Sequence, residues 1–108
     1  MTFDEFQQAS SRTLYKGPFD KQMLLFALGL TTEAGEVGDL VKKWARLGPD
    51  AVLNVPAISE EIGDLLWYAA ALASTVGLNL DEIAEQNIEK LWERYPDGLA
   101  PERDCRHA

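Results

Sequence analysis

Apolar positions recur along this chain at the three- and four-residue spacing of α-helices, and strand-like alternation is weak throughout. Capping residues, glycines and prolines divide the pattern into four predicted helices. We place the first three at about 3–14, 21–46 and 57–76, and the fourth between an Asn79 cap and Tyr95. Thr2 and Glu5 form a capping box, and Glu82 is the reciprocal partner of Asn79. The pattern predicts an all-α, four-helix bundle-like domain with the broadly apolar second and third helices at its centre.

The two central helices each carry a pair of acids three residues apart. The pairs are Glu33 with Glu36 and Glu61 with Asp64. At about 100° per residue, each pair falls within about 60° of the apolar stripe of its helix. Asp39, outside that stripe, is expected to be solvated. Four inward carboxylates on neighbouring helices are costly to bury without compensation.

A divalent cation is the compensation that best fits these four residues. Carboxylate oxygens without histidine or cysteine are hard ligands, which suit Mg²⁺ or Mn²⁺. The alternative is a buried network in which the acids pair with lysine or arginine, or a helix phase that differs from the wheel.

The predicted fourth helix adds cations. Asn87, Lys90 and Arg94 recur at three- and four-residue spacing and so share one stripe. Beside a metal site, this stripe would offer an amide and two cations to phosphate oxygens. Alternatively, it is a solvated flank with pairs such as Gln86 with Lys90.

The charge, cysteine content and apolar runs of the chain limit the partners and locations that we expect for it. The net charge of -8 argues against nonspecific nucleic-acid binding, although polyphosphates can bind when divalent cations bridge the like charges. The single cysteine, Cys105, allows no internal disulfide, and the N-terminus has no signal-peptide pattern, so a cytoplasmic location is expected. The apolar run "LLWYAAALASTVGL" has 14 residues, too few to span a bilayer, so no membrane association is expected. We expect one domain over 1–98 and a polar tail over 99–108.

Three segments together resemble a known family. "GLTTEAGEVGDLVKKW", "ISEEIGDLLWYAAALA" and "NIEKLWERYPDG" are similar to MazG-type all-α nucleoside triphosphate pyrophosphohydrolases. The family motif is ExxE, a variable spacer, then ExxD, and here 24 residues separate the two halves. The resemblance covers roughly Phe3 to Gly98.

The resemblance implies hydrolysis of a nucleoside triphosphate between the α- and β-phosphates, which yields a nucleoside monophosphate and pyrophosphate. It implies that Glu33, Glu36, Glu61 and Asp64 hold Mg²⁺. The bound Mg²⁺ would neutralise the phosphates and activate a water for attack. Asn87 and Lys90 match family positions that face the triphosphate, and Arg94 either does the same or anchors the C-terminal turn. Short members generally form homodimers or homotetramers, an arrangement in which one site can use residues from two chains.

The sequence indicates less clearly which residues would recognise the nucleobase. Trp44, Tyr68, Phe6 and Gln7 are candidates to contact it, although an aromatic at helical spacing also suits a core. As a single short unit, the chain departs from tandem-domain members of the family.

Other classes fit less well. A diiron bundle needs a histidine three residues after a glutamate on each of two helices, and the only histidine is His107. A Nudix hydrolase carries its glutamates in one loop–helix box, whereas here they are divided between two helices. A serine or cysteine hydrolase would lack a histidine base in the folded part of the chain. The segment "YKGPFDKQ" does not have the P-loop pattern of a nucleotide-binding loop. The remaining competitor is a non-catalytic helical dimerisation or interaction module with a degenerate site.

Overall fold

A computed structural model describes residues 1–98, so the predicted tail over 99–108 lies outside the described residues. The prediction of an all-α fold is confirmed: the described chain contains four α-helices and no strand. The helices are α1 (Phe3–Ser10), α2 (Phe19–Leu47), α3 (Val55–Thr75) and α4 (Leu80–Arg94), with a 3₁₀ turn over Ser11–Thr13.

Local capping explains most helix ends. The Thr2 hydroxyl accepts a hydrogen bond from the Glu5 amide at 3.0 Å, and the Glu5 carboxylate accepts one from the Thr2 amide at 2.9 Å, which confirms the predicted capping box. Asn54 caps α3 by accepting from the Ala57 amide at 3.1 Å, so α3 begins two residues before its predicted start. Gly48 follows α2 with a φ of 100°, a conformation that favours glycine.

Two predicted details at the first and fourth helices were wrong. The first helix was expected to reach residue 14, but α1 ends at Ser10. The Ser10, Ser11 and Thr13 hydroxyls donate to carbonyls three residues back, a local bonding that competes with regular helix. At α4, Asn79 accepts from the Glu82 amide at 3.2 Å as expected, but the Glu82 side chain does not return the bond to the Asn79 backbone amide within the described residues. The Asn79 side-chain amide donates separately to Asp4.

The packing centres on an antiparallel hairpin of α2 and α3. These two helices share the most extensive interface, and α1 lies against α3 and α4. Within the described residues, α4 forms no extensive interface with α2 or α3. The two central helices are therefore the predicted ones, but one chain alone does not close a four-helix bundle.

The buried core of the described chain is small. Its buried apolar residues are Phe26 and the three α3 alanines Ala70, Ala71 and Ala73. Alanine allows helices to approach closely but buries little apolar area of its own. The radius of gyration is 17.0 Å, against about 13 Å for a compact domain of this length. The chain thus leaves much of its apolar surface uncovered.

A polar contact fastens α1 to the α3–α4 turn. The Gln7 side-chain amide donates to the Ser74 hydroxyl at 3.0 Å and to the Leu78 carbonyl at 2.9 Å. Its oxygen accepts from the Leu80 amide at 2.9 Å. Gln7 was a candidate to contact a base, but in this structure its buried side chain bonds only within the fold.

No helix among the described residues combines the length and apolar character that crossing a membrane requires.

Candidate metal and substrate site

The α2–α3 hairpin brings the paired acids of the two helices together. Glu33 lies near the middle of α2, and Glu61 and Asp64 lie in the first half of α3. Each of these three side chains offers a carboxylate oxygen, and the three oxygens lie within 4.8 Å of one another. Helical spacing places both α3 acids on one face, and antiparallel packing sets that face against α2.

Glu36 lies beside this cluster rather than within it. Its carboxylate contacts that of Glu61, and also that of Glu33 one turn away. Glu36 and Asp64 are exposed, whereas Glu33 and Glu61 are partly buried. The expectation that all four acids face the core was therefore wrong for two of them. Their side of the hairpin is open because no other helix of the described chain covers it.

Two oxygens in the cluster have no hydrogen-bond partner among residues 1–98. Both Glu33 Oε2 and Glu61 Oε2 are buried and unpaired. Buried polar atoms are nearly always bonded, so a pair of orphaned carboxylate oxygens at one place calls for a missing donor or cation. If both carboxylates are ionised, neither can donate to the other.

Lysine and arginine do not neutralise these acids in the described part of the chain. The ion pairs there join Asp39 to Lys43 at 2.9 Å and to Lys42 at 3.9 Å. The Lys43 ammonium lowers the pKa of Asp39 below its ordinary value. Asp39, which the helical wheel placed outside the stripe, thus has cation partners, whereas the four acids within the stripe have none among residues 1–98.

Mutual repulsion changes the protonation of the cluster. The Glu61 carboxylate raises the pKa of Glu36 above 4.5, through a shared proton and through charge repulsion. The Glu33 carboxylate likewise raises the pKa of Glu61, more than the Glu36 contact lowers it. The metal-free cluster therefore retains protons at a pH where free glutamates have lost them.

We expect the metal-free protein to lose stability as the pH rises above 4.5, where unfolded glutamates ionise first. The folded state binds more protons than the unfolded state in this window, so the free energy of unfolding falls with increasing pH. Mg²⁺ should reverse the trend, because ionised carboxylates bind it more tightly. Melting temperatures measured in EDTA and in excess Mg²⁺ across this range test the prediction. Parallel curves in the two buffers would contradict it.

The cluster fits a hard divalent cation. It combines three convergent carboxylates, two orphaned oxygens and a fourth carboxylate in contact, and all the donors are oxygen. Such a set suits Mg²⁺ or Mn²⁺ better than softer metals. Glu33, Glu61 and Asp64 could hold the ion, with Glu36 at its edge.

Cavities flank the cluster on two sides. One, of about 340 Å³, is lined by Glu33, Asp64, Trp67 and Tyr68. The other, of about 350 Å³, is lined by two site acids with neighbouring residues, namely Glu36, Glu61, Asp39, Leu40 and Ala57. Both are large enough to admit part of a small ligand beside the carboxylates.

Of the predicted aromatic residues, Tyr68 lies at the acid cluster and Trp44 does not line either cavity. The Trp44 indole donates to the Ala51 carbonyl at 3.0 Å and so ties the end of α2 to the following loop. The apolar pattern of α3 did not identify Trp67 as a lining residue. A wheel centred on Asp64 would have found it, because a residue three positions on lies about 60° away.

In a single chain, the predicted α4 stripe of Asn87, Lys90 and Arg94 lies away from the acid cluster. Asn87 lines an apolar cavity that α4 forms with Phe3 of α1 and Leu66 of α3. Lys90 and Arg94 are exposed, and no α4 residue lines either acid cavity. Their role toward a substrate remains a prediction.

Within residues 1–98, an all-α hairpin presents four carboxylates that have no cationic partner. These features define a class of helical proteins with an acidic site suited to a divalent cation. Residues 21–99 match the family model of the MazG nucleotide pyrophosphohydrolase domain, which covers well over half of the chain. The chain belongs to this family. No match was found among curated proteins or among solved structures.

Proposed function

We propose that this protein is a Mg²⁺-dependent nucleoside triphosphate pyrophosphohydrolase. It would cleave between the α- and β-phosphates to give a nucleoside monophosphate and pyrophosphate. The observation that carries the proposal is the pair of buried, unpartnered oxygens on Glu33 and Glu61 inside a convergent acidic cluster. Membership of the MazG family supports a nucleotide as the substrate.

Different residues of the site would bind the metal and accept a proton. Glu33, Glu36, Glu61 and Asp64 would hold Mg²⁺ or Mn²⁺. Once bound, the ion would neutralise phosphate charge and make a water more acidic. A carboxylate not occupied by the metal would accept the proton of the attacking water. The water oxygen bonds to phosphorus, the bridging P–O bond breaks, and pyrophosphate leaves.

The substrate would extend from the acids into the cavity lined by the aromatic residues. Tyr68 and Trp67 lie there beside Glu33 and Asp64, so the nucleoside portion would meet their rings. Trp44 would act at most from the edge of the site, because its indole already bonds to the loop.

We further propose that the functional protein is a homodimer or homotetramer. Much of the exposed apolar surface lies on helices, including Leu24 and Leu28 of α2 and Trp92 of α4, which is 69% exposed. Surfaces of this kind on a small domain favour association. A second chain would also offer a source for the cations that both acid cavities lack, namely the Asn87, Lys90 and Arg94 stripe.

Release of pyrophosphate tests the enzyme against the non-catalytic interaction module. We expect purified protein with Mg²⁺ to convert at least one member of a panel of canonical, deoxy and damaged nucleoside triphosphates to monophosphate and pyrophosphate in equal amounts. EDTA should abolish the reaction, and no free phosphate should accumulate before a pyrophosphatase is added. Failure with every nucleotide would reject the enzyme and favour the interaction module.

A further inference from the structure

Gly29 lies in the interior of α2, where its lack of a side chain has a visible consequence. A Cβ atom at this position would lie 2.1 Å from Tyr68 Cε1 and 2.4 Å from Tyr68 Cζ. Such distances are far inside van der Waals contact, so any side chain at position 29 would displace the ring. The Tyr68 ring thus lies directly on the backbone of α2.

Other helical glycines of the described chain show no such contact. Gly35, Gly38 and Gly63 have open space where a Cβ would be. Glycine is a poor helix former, so a glycine in a helix interior needs a reason from packing or function. At Gly29 the reason is the ring of Tyr68.

A second aromatic contact also restrains the ring. Trp67 packs edge-to-face against Tyr68 with ring centroids 5.0 Å apart, and against Phe26 at 6.0 Å. The Trp67 indole donates to the Thr13 hydroxyl at 3.0 Å. The Tyr68 ring therefore contacts both the bare backbone of α2 and an indole that a hydrogen bond holds in place.

This placement matters because of what lies next along each helix. Glu33 follows Gly29 by one turn of α2, and Asp64 precedes Tyr68 by one turn of α3. Tyr68 lines the same cavity as these two acids. The ring consequently forms a wall of the site across the seam between the helices.

We propose that Gly29 is a positioning residue that sets the place of the Tyr68 ring and thereby the fit of the nucleoside portion of the substrate. The proposal rests on the proposed function for its substrate, and on the packing of Gly29 and Tyr68 for its geometry. A methyl group at position 29 would displace the ring, and with it the wall of the cavity that Glu33 and Asp64 also line. The nucleoside would then lose its fit while the phosphates still reach the acids.

A double-mutant cycle tests the packing without any substrate. We expect Gly38→Ala, the matched control in the same helix, to raise the Tm by about 4 °C, because alanine is the better helix former. Gly29→Ala should instead lower the Tm by about 4 °C or more, because the ring is overpacked. In a Tyr68→Ala background, Gly29→Ala should raise the Tm as Gly38→Ala does. A Gly29→Ala variant that raises the Tm with Tyr68 present would overturn the proposal.

Kinetics test the effect on the substrate. For a nucleotide that the wild type hydrolyses, Gly29→Ala should raise KM about tenfold and change kcat less than about threefold, since the ring contacts the nucleoside and not the reacting phosphates. The inhibition constant of inorganic tripolyphosphate, which has no nucleoside, should change less than about twofold. An unchanged KM would overturn the positioning role, as would equal losses for nucleotide and tripolyphosphate.

The two experiments separate this proposal from the proposed function. If the wild type hydrolyses no nucleotide, the proposed function fails and the substrate-facing part of this proposal fails with it. The Tm cycle would still decide whether Gly29 sets the position of the ring.

Discussion

Replacing Glu61 with glutamine should reduce Mg²⁺-dependent pyrophosphate release by about a hundredfold to a thousandfold. Glu61 has three carboxylate neighbours: it shares the three-oxygen cluster with Glu33 and Asp64 and also contacts Glu36. An amide there removes one anionic ligand and adds a donor that cannot bind the cation. The loss is measured as initial rates of pyrophosphate release at saturating Mg²⁺.

The same substitution should stabilise the protein when no metal is present. A glutamine at position 61 relieves the repulsion that raises the pKa of Glu36, and its amide can donate to the orphaned oxygen of Glu33. The Tm in EDTA should therefore rise, while the gain in Tm on adding Mg²⁺ should largely disappear. Opposite signs for stability and activity distinguish a ligand from a residue that merely supports the fold.

Glu60→Gln is the matched control, since it makes the same chemical change at the neighbouring, exposed position. It should retain activity within about twofold and keep the wild-type response to Mg²⁺. If Glu61→Gln retained turnover comparable to this control, Glu61 would not be a metal ligand.

Replacing Trp92 with glutamate should dissociate the protein into monomers of 12.0 kDa. Trp92 is 69% exposed in the single chain and lines an apolar cavity on α4 with Ala84 and Ile88. Buried tryptophans are frequent hot spots of association, worth 2 kcal/mol or more, so the dissociation constant should rise at least about thirtyfold. Burying the new carboxylate at an interface would add to this loss.

Light scattering during size-exclusion chromatography measures the expected change in mass. Val52→Glu is a suitable control, because Val52 is an exposed apolar residue in the α2–α3 loop rather than on a helix face, and its replacement should leave the mass unchanged. Pyrophosphate release by Trp92→Glu should fall with the mass if a second chain supplies part of the site. A wild-type protein that is already monomeric would contradict the proposed assembly.

The helices were largely predictable because their signals are local. The ends of α2 and α3 were each placed within two residues of where they lie. The Thr2 and Glu5 capping box was also predicted, since its bonds join residues three apart. The end of α1 was predicted wrongly, because the Ser10 and Ser11 hydroxyls donate hydrogen bonds to nearby backbone carbonyls and so compete with the regular helix. The apolar pattern carries no information about these bonds.

The candidate site was predictable in part. Helical periodicity placed Glu33 with Glu36 and Glu61 with Asp64, and separated Asp39, which pairs with lysines, from them. It did not identify Trp67 as a lining residue or Gly29 as the surface under Tyr68. Those relations join residues on different helices, and helical periodicity describes only one helix at a time.

The sequence by itself determined that this protein is all-α, where its helices run, and that two of them carry paired acids on one face. Each of these properties depends on spacing within a single helix, which a 3.6-residue period reports directly. Only the tertiary structure decided that Glu36 and Asp64 are exposed, that Gln7 fastens α1 to the α3–α4 turn, and that α4 lies away from the acids. These properties depend on which helix faces cover one another, and that is set by packing between segments distant in the chain.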